Sequence, residues 1–525
     1  MNKKLIIEKL ALSENDIKRI ESYDISWKSI AGQLHYFKDG TESIILERPC
    51  TLNDGITKIS SKEEAGLIKK FENEISTIEM CKFVPASGAA TRMFKDIIFV
   101  SKKHKKINRA LLKDNKAQHE YKSVLKTIDN LKNFGFYNEL KNRLLNDGLK
   151  LEEKLSQNDY SIVIDYLLNT KGLSYSNCPK GLIQFHKYKD RSRTAFEEHI
   201  IESKEYASNS QKISNLHFTL SDENVFLVSK FIKKVLPDYE SDGSKVKITY
   251  STQKKYTDTI AFNSDGSIAR DENGEVLLRP AGHGALLENL NDITADAIFI
   301  KNIDNVLPDR LKPETIKYKK LLAGILLDIQ ENVFTFLNLI DTNKINAELL
   351  VELKNYLTQS LNILLPENFE LRSLDDQVKY CYLKLNRPIR ICGMVKNEGE
   401  PGGGPFWVKE TDGTITKQII ESAQINFNMN HQQEIFNDAA YFNPVDIVCG
   451  VKNYKGEKFD LLKFRNPDLG IVSIKDQDGN KIKVFELPGL WNGGMHDWIT
   501  IFVEVPLNTF NPVKELNDLL KPAHQ

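Results

Sequence analysis

The segment 82–93 constrains the fold more than any other part of the chain, because apolar residues give way there to a run of small ones. Phe83 and Val84 predict a buried strand, and the following Pro-Ala-Ser-Gly-Ala-Ala predicts a turn that leads into a helix. Small side chains let backbone N–H groups approach an anion at such a helix start, and Thr91 and Arg92 add a hydroxyl and a fixed positive charge. The segment therefore predicts a phosphate-binding loop.

A structural alternative exists for the same residues. Glycine and alanine also occur wherever two backbone segments pack closely, and a single small-residue loop is a weak functional signal. Phosphate binding therefore needs support from residues elsewhere in the chain.

Composition limits the class of protein. A chain of 525 residues is too long for one core and predicts roughly two to four structural units. Lysine plus arginine and aspartate plus glutamate each number 72, so no net charge recruits nucleic acid or an anionic membrane. The six cysteines lack CxxC spacing, which argues against a zinc site or a disulfide framework. The first residues do not form a secretory signal, and no stretch approaches the apolar length of a membrane helix, so a cytoplasmic protein is expected.

Secondary-structure signals divide the chain into three consecutive ranges. Residues 1–78 mix helical and extended patterns, residues 79–386 alternate strands and helices, and residues 387–525 are rich in strands. Within the middle range, 94–178 predicts a helical insertion and 314–360 a further helical segment. The alternation predicts an α/β fold with a sheet at its centre.

The insertion carries the one markedly basic segment, residues 101–116. A solvated helix face is the ordinary explanation of a charge run. The functional alternatives are a lid that closes over phosphates and a contact with nucleic acid, of which the lid is retained.

Asp304 marks a second candidate site. It lies four positions after the end of the apolar strand 297–300, and ligands of open α/β sheets bind beyond the carboxyl ends of strands. A single carboxylate in that place suits Mg²⁺, which fills its other positions with water and phosphate oxygens. The alternative is an Asx turn that ends the strand.

A third candidate site is the segment 279–290. Gly282 and Gly284 flank His283 between a strand-like segment and a helix, so the backbone can approach a ligand while the imidazole offers a ring nitrogen. A core histidine satisfied by hydrogen bonds is the structural alternative.

The order of these segments resembles that of the UDP-sugar pyrophosphorylases, which are nucleotidyltransferases. Residues 86–92 resemble the family's glycine-rich loop ending in Thr-Arg, and Pro179-Lys180 resembles its Pro-Lys segment, here separated from the loop by the insertion. Residues 216–223 are similar to the strand Met-Thr-Ser and the helix after it, Gln253 to a strand-ending glutamine, and residues 280–284 to Pro-x-Gly-His/Asn-Gly. Residues 302–305 resemble the Asp-Asn metal motif of the family.

The resemblance implies a Rossmann-like nucleotidyltransferase fold of the glycosyltransferase-A type, with a mixed sheet and helices on both faces. This sequence departs from the family in having one glycine in the loop, no proline near Gln253, and the insertion. The whole chain also resembles an uncharacterised bacterial family known as a domain of unknown function, DUF4301.

The resemblance also implies roles for individual residues. Catalysis is assigned to Arg92, Lys180 and Asp304, with Asp304 as the Mg²⁺ ligand. Nucleotide and phosphate binding is assigned to Ala86, Ser87, Gly88, Ala89, Ala90, Thr91, Gln253, Gly282 and His283.

The strand-rich C-terminal region completes the expected sugar side of the site. Glu400 and Trp407, around a glycine-rich loop, suit a hydroxyl acceptor and a stacking surface for a sugar, and a tight structural connection is the equal alternative. Glu421 and Asn305 are further candidate sugar ligands, and residues 487–495 predict a packed corner of architectural character.

These expectations combine into transfer of a nucleotidyl group from a nucleoside triphosphate, with UTP as the first guess, to a sugar 1-phosphate or similar acceptor. The alternative is a catalytically silent protein of the same fold that binds nucleotide sugars. A nucleic-acid-binding role through the basic segment is the least favoured reading, because the net charge is balanced. The hypothesis of nucleotidyl transfer requires Arg92, Lys180 and Asp304 to meet in one cleft.

Overall fold

The computed structural model describes residues 1–39, 44–399, 402–442, 446–477 and 480–525. Two compact units share the chain and alternate along it, whereas the ranges expected from sequence are consecutive. Unit 1 comprises Met1–Glu79, Ser251–Phe299 and Lys320–Val505. Unit 2 comprises Met80–Tyr250, Ile300–Lys319 and Pro506–Gln525.

The described residues contain the following α-helices: α1 (Lys3–Leu10), α2 (Glu14–Ser22), α3 (Trp27–Asp39), α4 (Ser61–Glu74), α5 (Lys95–Lys103), α6 (Arg109–Asp114), α7 (His119–Asp129), α8 (Tyr137–Asn146), α9 (Leu151–Ser156), α10 (Tyr160–Leu168), α11 (Ala195–Tyr206), α12 (Val225–Tyr239), α13 (Leu286–Asn291), α14 (Lys312–Asp341), α15 (Ala347–Asn355), α16 (Leu374–Leu385) and α17 (Asn430–Asn437).

Their strands are β1 (Ile45–Pro49), β2 (Thr51–Leu52), β3 (Gly55–Thr57), β4 (Met80–Pro85), β5 (Gln184–Lys187), β6 (Ser192–Thr194), β7 (Ile213–Leu220), β8 (Lys245–Thr252), β9 (Thr259–Asn263), β10 (Leu278–Arg279), β11 (Ala297–Ile300), β12 (Ile389–Met394), β13 (Gly403–Lys409), β14 (Ile415–Glu421), β15 (Asp446–Gly450), β16 (Ile471–Gln477), β17 (Asn480–Glu486) and β18 (Ile499–Glu504).

Unit 1 contains a mixed sheet in the order β2-β3-β18-β12-β15-β11. β12 runs parallel to β18, with Ile389 opposite Ile499, and antiparallel to β15, with Ile389 opposite Gly450. All six residues of β12 are buried, as expected for a central strand covered on both faces. Two smaller antiparallel sheets of the same unit have the orders β1-β13-β14 and β10-β9-β17-β16.

Unit 2 is built around β4, β7 and β8, which lie in that order. β4 and β7 are parallel, with Lys82 opposite Leu216 and Pro85 opposite Thr219. Its core joins Val84 and Phe218 of these strands to apolar residues of the helices α5–α11. The expected α/β class is therefore confirmed: each unit combines strands of a large mixed sheet with helices.

The helical insertion is also confirmed. Every residue of 94–178 is described, and the segment contains α5–α10 and no strand. Its buried side chains, among them Leu112, Tyr121 and Leu140, belong to the core of unit 2. The insertion is thus an integral part of that unit.

The sequence analysis expected no stretch with the apolar length of a membrane helix, and α14 departs from that expectation. By length and composition alone Lys312–Asp341 could cross a membrane, but half of its apolar window is buried inside the protein. The core helix of a folded domain has the same length and composition.

Candidate functional site

The loop after β4 presents unpaired backbone N–H groups. Ala86 N–H donates to the carbonyl of Thr219 at 2.9 Å, and Ala90 N–H donates to the carbonyl of Cys178 at 3.0 Å. Between them Ser87, Gly88 and Ala89 are exposed, and their N–H groups have no hydrogen-bond partner among the residues that the structure describes. Three consecutive free donors are what an anion needs at such a turn.

The loop continues into a short 3₁₀ turn, Ala90–Arg92, and α5 begins at Lys95. A Cβ added at Gly88 would meet no heavy atom within 4 Å, and this glycine does not adopt a positive φ. Neither packing nor backbone conformation therefore requires glycine at position 88. An open side of the loop is left for a ligand to occupy.

The two halves of the divided motif are joined in space. Lys180 N–H donates to the carbonyl of Gly88 at 3.1 Å, and Ala89 and Pro179 form an antiparallel bridge. The insertion therefore leaves the loop and returns beside it. Gly181 is required at this return, because a Cβ there would lie 2.5 Å from the ring of Phe196.

Lys180 and Asp304 meet directly. The Lys180 Nζ donates to Asp304 Oδ2 at 2.5 Å, and their side chains are 14% and 20% exposed. Backbone bonding sets this contact, since Ile303 N–H donates to the carbonyl of Pro85 at 3.3 Å and places the residues after β11 beside the start of the loop. The ammonium and the carboxylate thus lie at the same edge of unit 2 as the free N–H groups.

Arg92 ends the loop with an exposed side chain. Its guanidinium makes no ion pair with any residue that the structure describes. The C-terminal segment of unit 2 holds the surrounding backbone: Leu516 N–H donates to the carbonyl of Met93 at 3.1 Å, and Val513 N–H donates to that of Asp304 at 3.2 Å. The three expected catalytic residues therefore stand on backbone segments that are tied together.

Asn305 has another use in this structure. Its side chain is buried, its Nδ2 donates to the carbonyl of Thr509 at 3.4 Å, and its Oδ1 accepts from Asn511 N–H at 2.9 Å. The amide thus fixes the C-terminal segment beside Asp304. Its role as a sugar ligand stays a prediction.

A buried charge cluster underlies the loop, and sequence reasoning missed it. Lys82 Nζ lies 2.9 Å from Glu202 Oε2, Lys301 Nζ lies 3.0 Å from Glu202 Oε1, and all three side chains are fully buried. Burial lowers the pKa of Lys82, Glu202 opposes the shift and the nearby Lys301 adds to it, and together they bring this pKa to about 7. The two ammonium groups hold the pKa of Glu202 well below its usual range although burial acts against them. The sequence signal that could have revealed this cluster is a lysine inside the apolar strand Met80–Pro85.

A second group of expected residues lies in unit 1, around His283. The His283 Nδ1 accepts from Leu490 N–H at 3.1 Å, which leaves the proton on Nε2, 3.7 Å from Glu421 Oε1. The imidazole stacks on Trp491, with ring centroids 4.4 Å apart. His283 and Glu421, which the sequence analysis placed in different roles, are therefore neighbours, and Trp491 of the expected architectural corner joins them.

Gly282 is fixed by backbone conformation. Its φ is +73°, and a Cβ would lie 2.6 Å from Glu486 Oε2. Burial raises the pKa of Glu486, but hydrogen bonds from Lys475 and Ser473 outweigh it and hold this pKa below its usual range. Glu486 thus presents a carboxylate to the backbone before His283. The sequence analysis did not identify Glu486 as a residue of this site.

The remaining expected residues are placed as follows. Gln253 Nε2 donates to Thr257 Oγ1 at 3.3 Å and Asp258 Oδ1 at 3.2 Å, so it closes a local turn in unit 1. Trp407 is buried in β13, with the Arg48 guanidinium 4.9 Å from its ring centroid. Glu400 lies outside the residues that the structure describes.

Two places in the described residues offer carboxylate oxygens that could bind a metal ion. Asp304 lies beside the loop, and Lys180 occupies one of its carboxylate oxygens. A carboxylate has further lone pairs, so Asp304 can supply one ligand to a Mg²⁺ ion that takes its other ligands from phosphate and water. Elsewhere in the described chain, Asp96, His119 and Glu515 lie at ligand spacing, but Lys95 already pairs with Glu515 at 2.7 Å.

The solved structures similar to this chain include UDP-sugar pyrophosphorylases. The UDP-glucose pyrophosphorylase of Leishmania major is 12% identical, with 97% of this chain and 78% of that chain covered and a TM-score of 0.43. The uridine diphosphate N-acetylglucosamine pyrophosphorylase of Trypanosoma brucei is 11% identical, with 90% and 72% covered and a TM-score of 0.45. A UDP-glucose phosphorylase of Trypanosoma brucei is 12% identical, with 96% and 77% covered and a TM-score of 0.44.

No functionally curated protein matches the sequence. The family described as a domain of unknown function (DUF4301) matches residues 13–525, nearly the whole length. The chain therefore belongs to the DUF4301 family.

Proposed function

We propose that this protein is a nucleotidyltransferase that joins a nucleoside monophosphate unit to a phosphorylated acceptor and releases pyrophosphate. The observation that carries the proposal is the contact of Lys180 with Asp304 at 2.5 Å, at the edge where the loop 86–91 presents free N–H groups. This combination of fixed donors, an ammonium and a carboxylate suits phosphate groups that exchange charge during transfer.

The reaction needs positioning and charge neutralisation more than a strong base, because the acceptor phosphate is already an anion at neutral pH. An oxygen of the acceptor phosphate attacks the α-phosphorus of the triphosphate. The bond from that phosphorus to the bridging oxygen breaks, and pyrophosphate leaves with its electron pair. No net proton transfer is required in the transfer step.

The residues divide this work. The N–H groups of Ser87, Gly88 and Ala89 donate to the leaving phosphates, and Arg92 neutralises them from the end of the loop. Lys180 lies between the attacked and attacking phosphates, held in place before substrate arrives by Asp304. Asp304 would hold Mg²⁺, which supplies charge neutralisation at the phosphates when bound.

For the substrates, the proposal names a chemical class and a first pair to test. The similar solved proteins are named for UDP-glucose and UDP-N-acetylglucosamine, and UTP with a sugar 1-phosphate is therefore the first substrate pair to test. In unit 1, the hydrogen-bonding side chains of His283, Glu421 and Glu486 suit a ligand with hydroxyl groups.

The test is magnesium-dependent pyrophosphate release across a panel of nucleoside triphosphates and sugar phosphates. Lys180→Ala is expected to lower turnover at least about 100-fold, because the ammonium contacts phosphates most strongly as charge develops. Lys189→Ala is the matched control, since Lys189 is exposed in the same unit. Full pyrophosphate release by Lys180→Ala would refute the assignment.

The alternative function is binding of a nucleotide sugar without turnover. The single glycine of the loop 86–91 favours it, because pyrophosphorylase loops resembling this one carry several. A thermal shift with UDP-glucose but no pyrophosphate release from any pair in the panel would select this alternative.

A further inference from the structure

A cavity of about 510 Å³ opens in unit 1. It lies between the β13–β14 hairpin, the C-terminal end of α16 and the segment before β18. Its lining reaches Gln418, three residues before Glu421 at the end of β14 and so about 10 Å from it at the usual rise of a strand. His283, Glu421 and Trp491 are not among the described residues that line the cavity. The cavity is thus a neighbouring site with its own set of side chains.

Charged groups of both signs line the cavity. Among the cations, Arg387 pairs with Asp497 at 3.4 Å. Among the anions, Glu410 lies 3.4 Å from His496 Nε2. Lys384 differs from these groups: it is half-buried, its Nζ lies 5.3 Å from the ring centroid of Tyr380, and it has no ion pair with a residue that the structure describes.

The environment of Lys384 is unfavourable to its charge. Burial lowers the pKa of its ammonium, and the neighbouring Arg387 lowers it further, while Asp497, Asp412 and Glu410 act against the shift without reaching ion-pair distance. A partly desolvated cation of this kind gains from an anion brought by a ligand. The side of the cavity formed by α16 therefore favours a phosphate or carboxylate group.

Trp498 also lines the cavity. The residue is 5% exposed, so its indole lies against the cavity wall and its fluorescence can report on a ligand there.

We propose that this cavity binds a small hydroxylated anion, the chemistry shared by sugar phosphates and sugar acids. Its anionic group contacts Lys384 and Arg387, and its hydroxyl groups donate to Glu410 and Asp497. The volume is within the range of small-molecule sites. The site is additional to the proposed transfer reaction, whose phosphate-binding residues lie in unit 2.

The experiment is titration calorimetry of the full chain with glucose 6-phosphate, gluconate, glucose and inorganic phosphate. Glucose 6-phosphate or gluconate is expected to bind at least about tenfold more tightly than glucose and inorganic phosphate, because only the first two combine an anionic group with hydroxyls. The stronger of the two identifies the source of the anion. Failure of both to bind below about 10 mM overturns the proposal.

Variants locate the binding. Lys384→Ala is expected to weaken it at least about tenfold, whereas Lys379→Ala, an exposed lysine on the same helix outside the cavity, leaves it unchanged. Equal effects of the two substitutions would overturn the assignment. Trp498→Phe should abolish any ligand-induced change in tryptophan fluorescence while circular dichroism stays as in the parent. Lys180→Ala should bind the ligand normally, and loss of binding there would move the site to unit 2.

Discussion

Lys180 Nζ lies 2.5 Å from Asp304 Oδ2, although the two residues are 124 positions apart in the chain. The contact depends on two backbone arrangements of unit 2. The return of the insertion brings Lys180 to the loop, and the bond of Ile303 to Pro85 brings Asp304 to the same place. A charge pair held by backbone in this way can position phosphates without large side-chain movements.

Loss of the Asp304 charge should affect activity far more than folding. The Asp304 carbonyl, not its carboxylate, holds Val513, so Asp304→Asn keeps the backbone contact. We expect magnesium-dependent pyrophosphate release to fall about 100-fold, with the melting temperature nearly unchanged. Asp190→Asn, an exposed aspartate of the same unit, is the control. Parent-level activity in Asp304→Asn would remove Asp304 from the mechanism.

Gly88→Ala should separate ligand binding from stability. A Cβ at position 88 meets no atom within 4 Å, so the urea midpoint should change by less than the equivalent of about 0.5 kcal/mol. If phosphates approach the loop as proposed, the added methyl group obstructs them and the KM for the nucleoside triphosphate rises. An unchanged KM would place the phosphates away from Gly88.

Gly181→Ala, in contrast to Gly88→Ala, should lower the stability of the fold. Its Cβ would lie 2.5 Å from the Phe196 ring, which is itself fully buried. We expect a loss of about 1–3 kcal/mol in the free energy of unfolding, measured in urea, because a packed core resists added volume. Phe196→Leu should restore part of this loss in the double variant, and a simple sum of the two single losses would argue against a steric cause.

The buried lysine Lys82 should leave a signature in the pH dependence of stability. Its pKa is lowered to about 7 in the folded protein, whereas in the unfolded chain it has its ordinary value. Between about pH 7 and pH 10 the unfolded state therefore binds more protons, and the free energy of unfolding rises with pH.

Lys82→Met removes this contribution, and Lys301 remains to neutralise Glu202. Urea denaturation at pH 7 and pH 9.5 should accordingly give a smaller rise for Lys82→Met than for the parent. Lys233→Met, at an exposed position of the same unit, should keep the parental rise. Identical slopes in all three proteins would contradict a lowered pKa.

Gly282→Ala should destabilise more than Gly266→Ala. Both glycines have positive φ, +73° and +86°, and Gly282, with a ψ of −170°, lies in a backbone region that essentially only glycine occupies. A Cβ at 282 would also meet Glu486 Oε2 at 2.6 Å, whereas a Cβ at 266 meets nothing within 4 Å. The difference between the two losses in thermal unfolding combines that contact with the glycine-only backbone of position 282, and equal losses would contradict the prediction.

The sequence alone was sufficient to predict many of the secondary-structure elements. Local patterns placed the strands β4, β7, β8 and β11, the helical insertion and the strand-rich C-terminal region correctly, because apolar periodicity and turn residues act over short distances. The small-residue loop and the Pro179–Lys180 segment were also recognisable as two halves of one motif.

Only the tertiary structure decided which side chains meet. The ion pair of Lys180 and Asp304, the Lys82–Glu202–Lys301 cluster and the approach of Glu421 to His283 join residues from distant segments. Backbone hydrogen bonds and core packing fix such contacts, and neither leaves a periodic trace in the sequence. The sequence therefore predicted the loop 86–91 as a candidate site, and the fold determined which charges lie beside it.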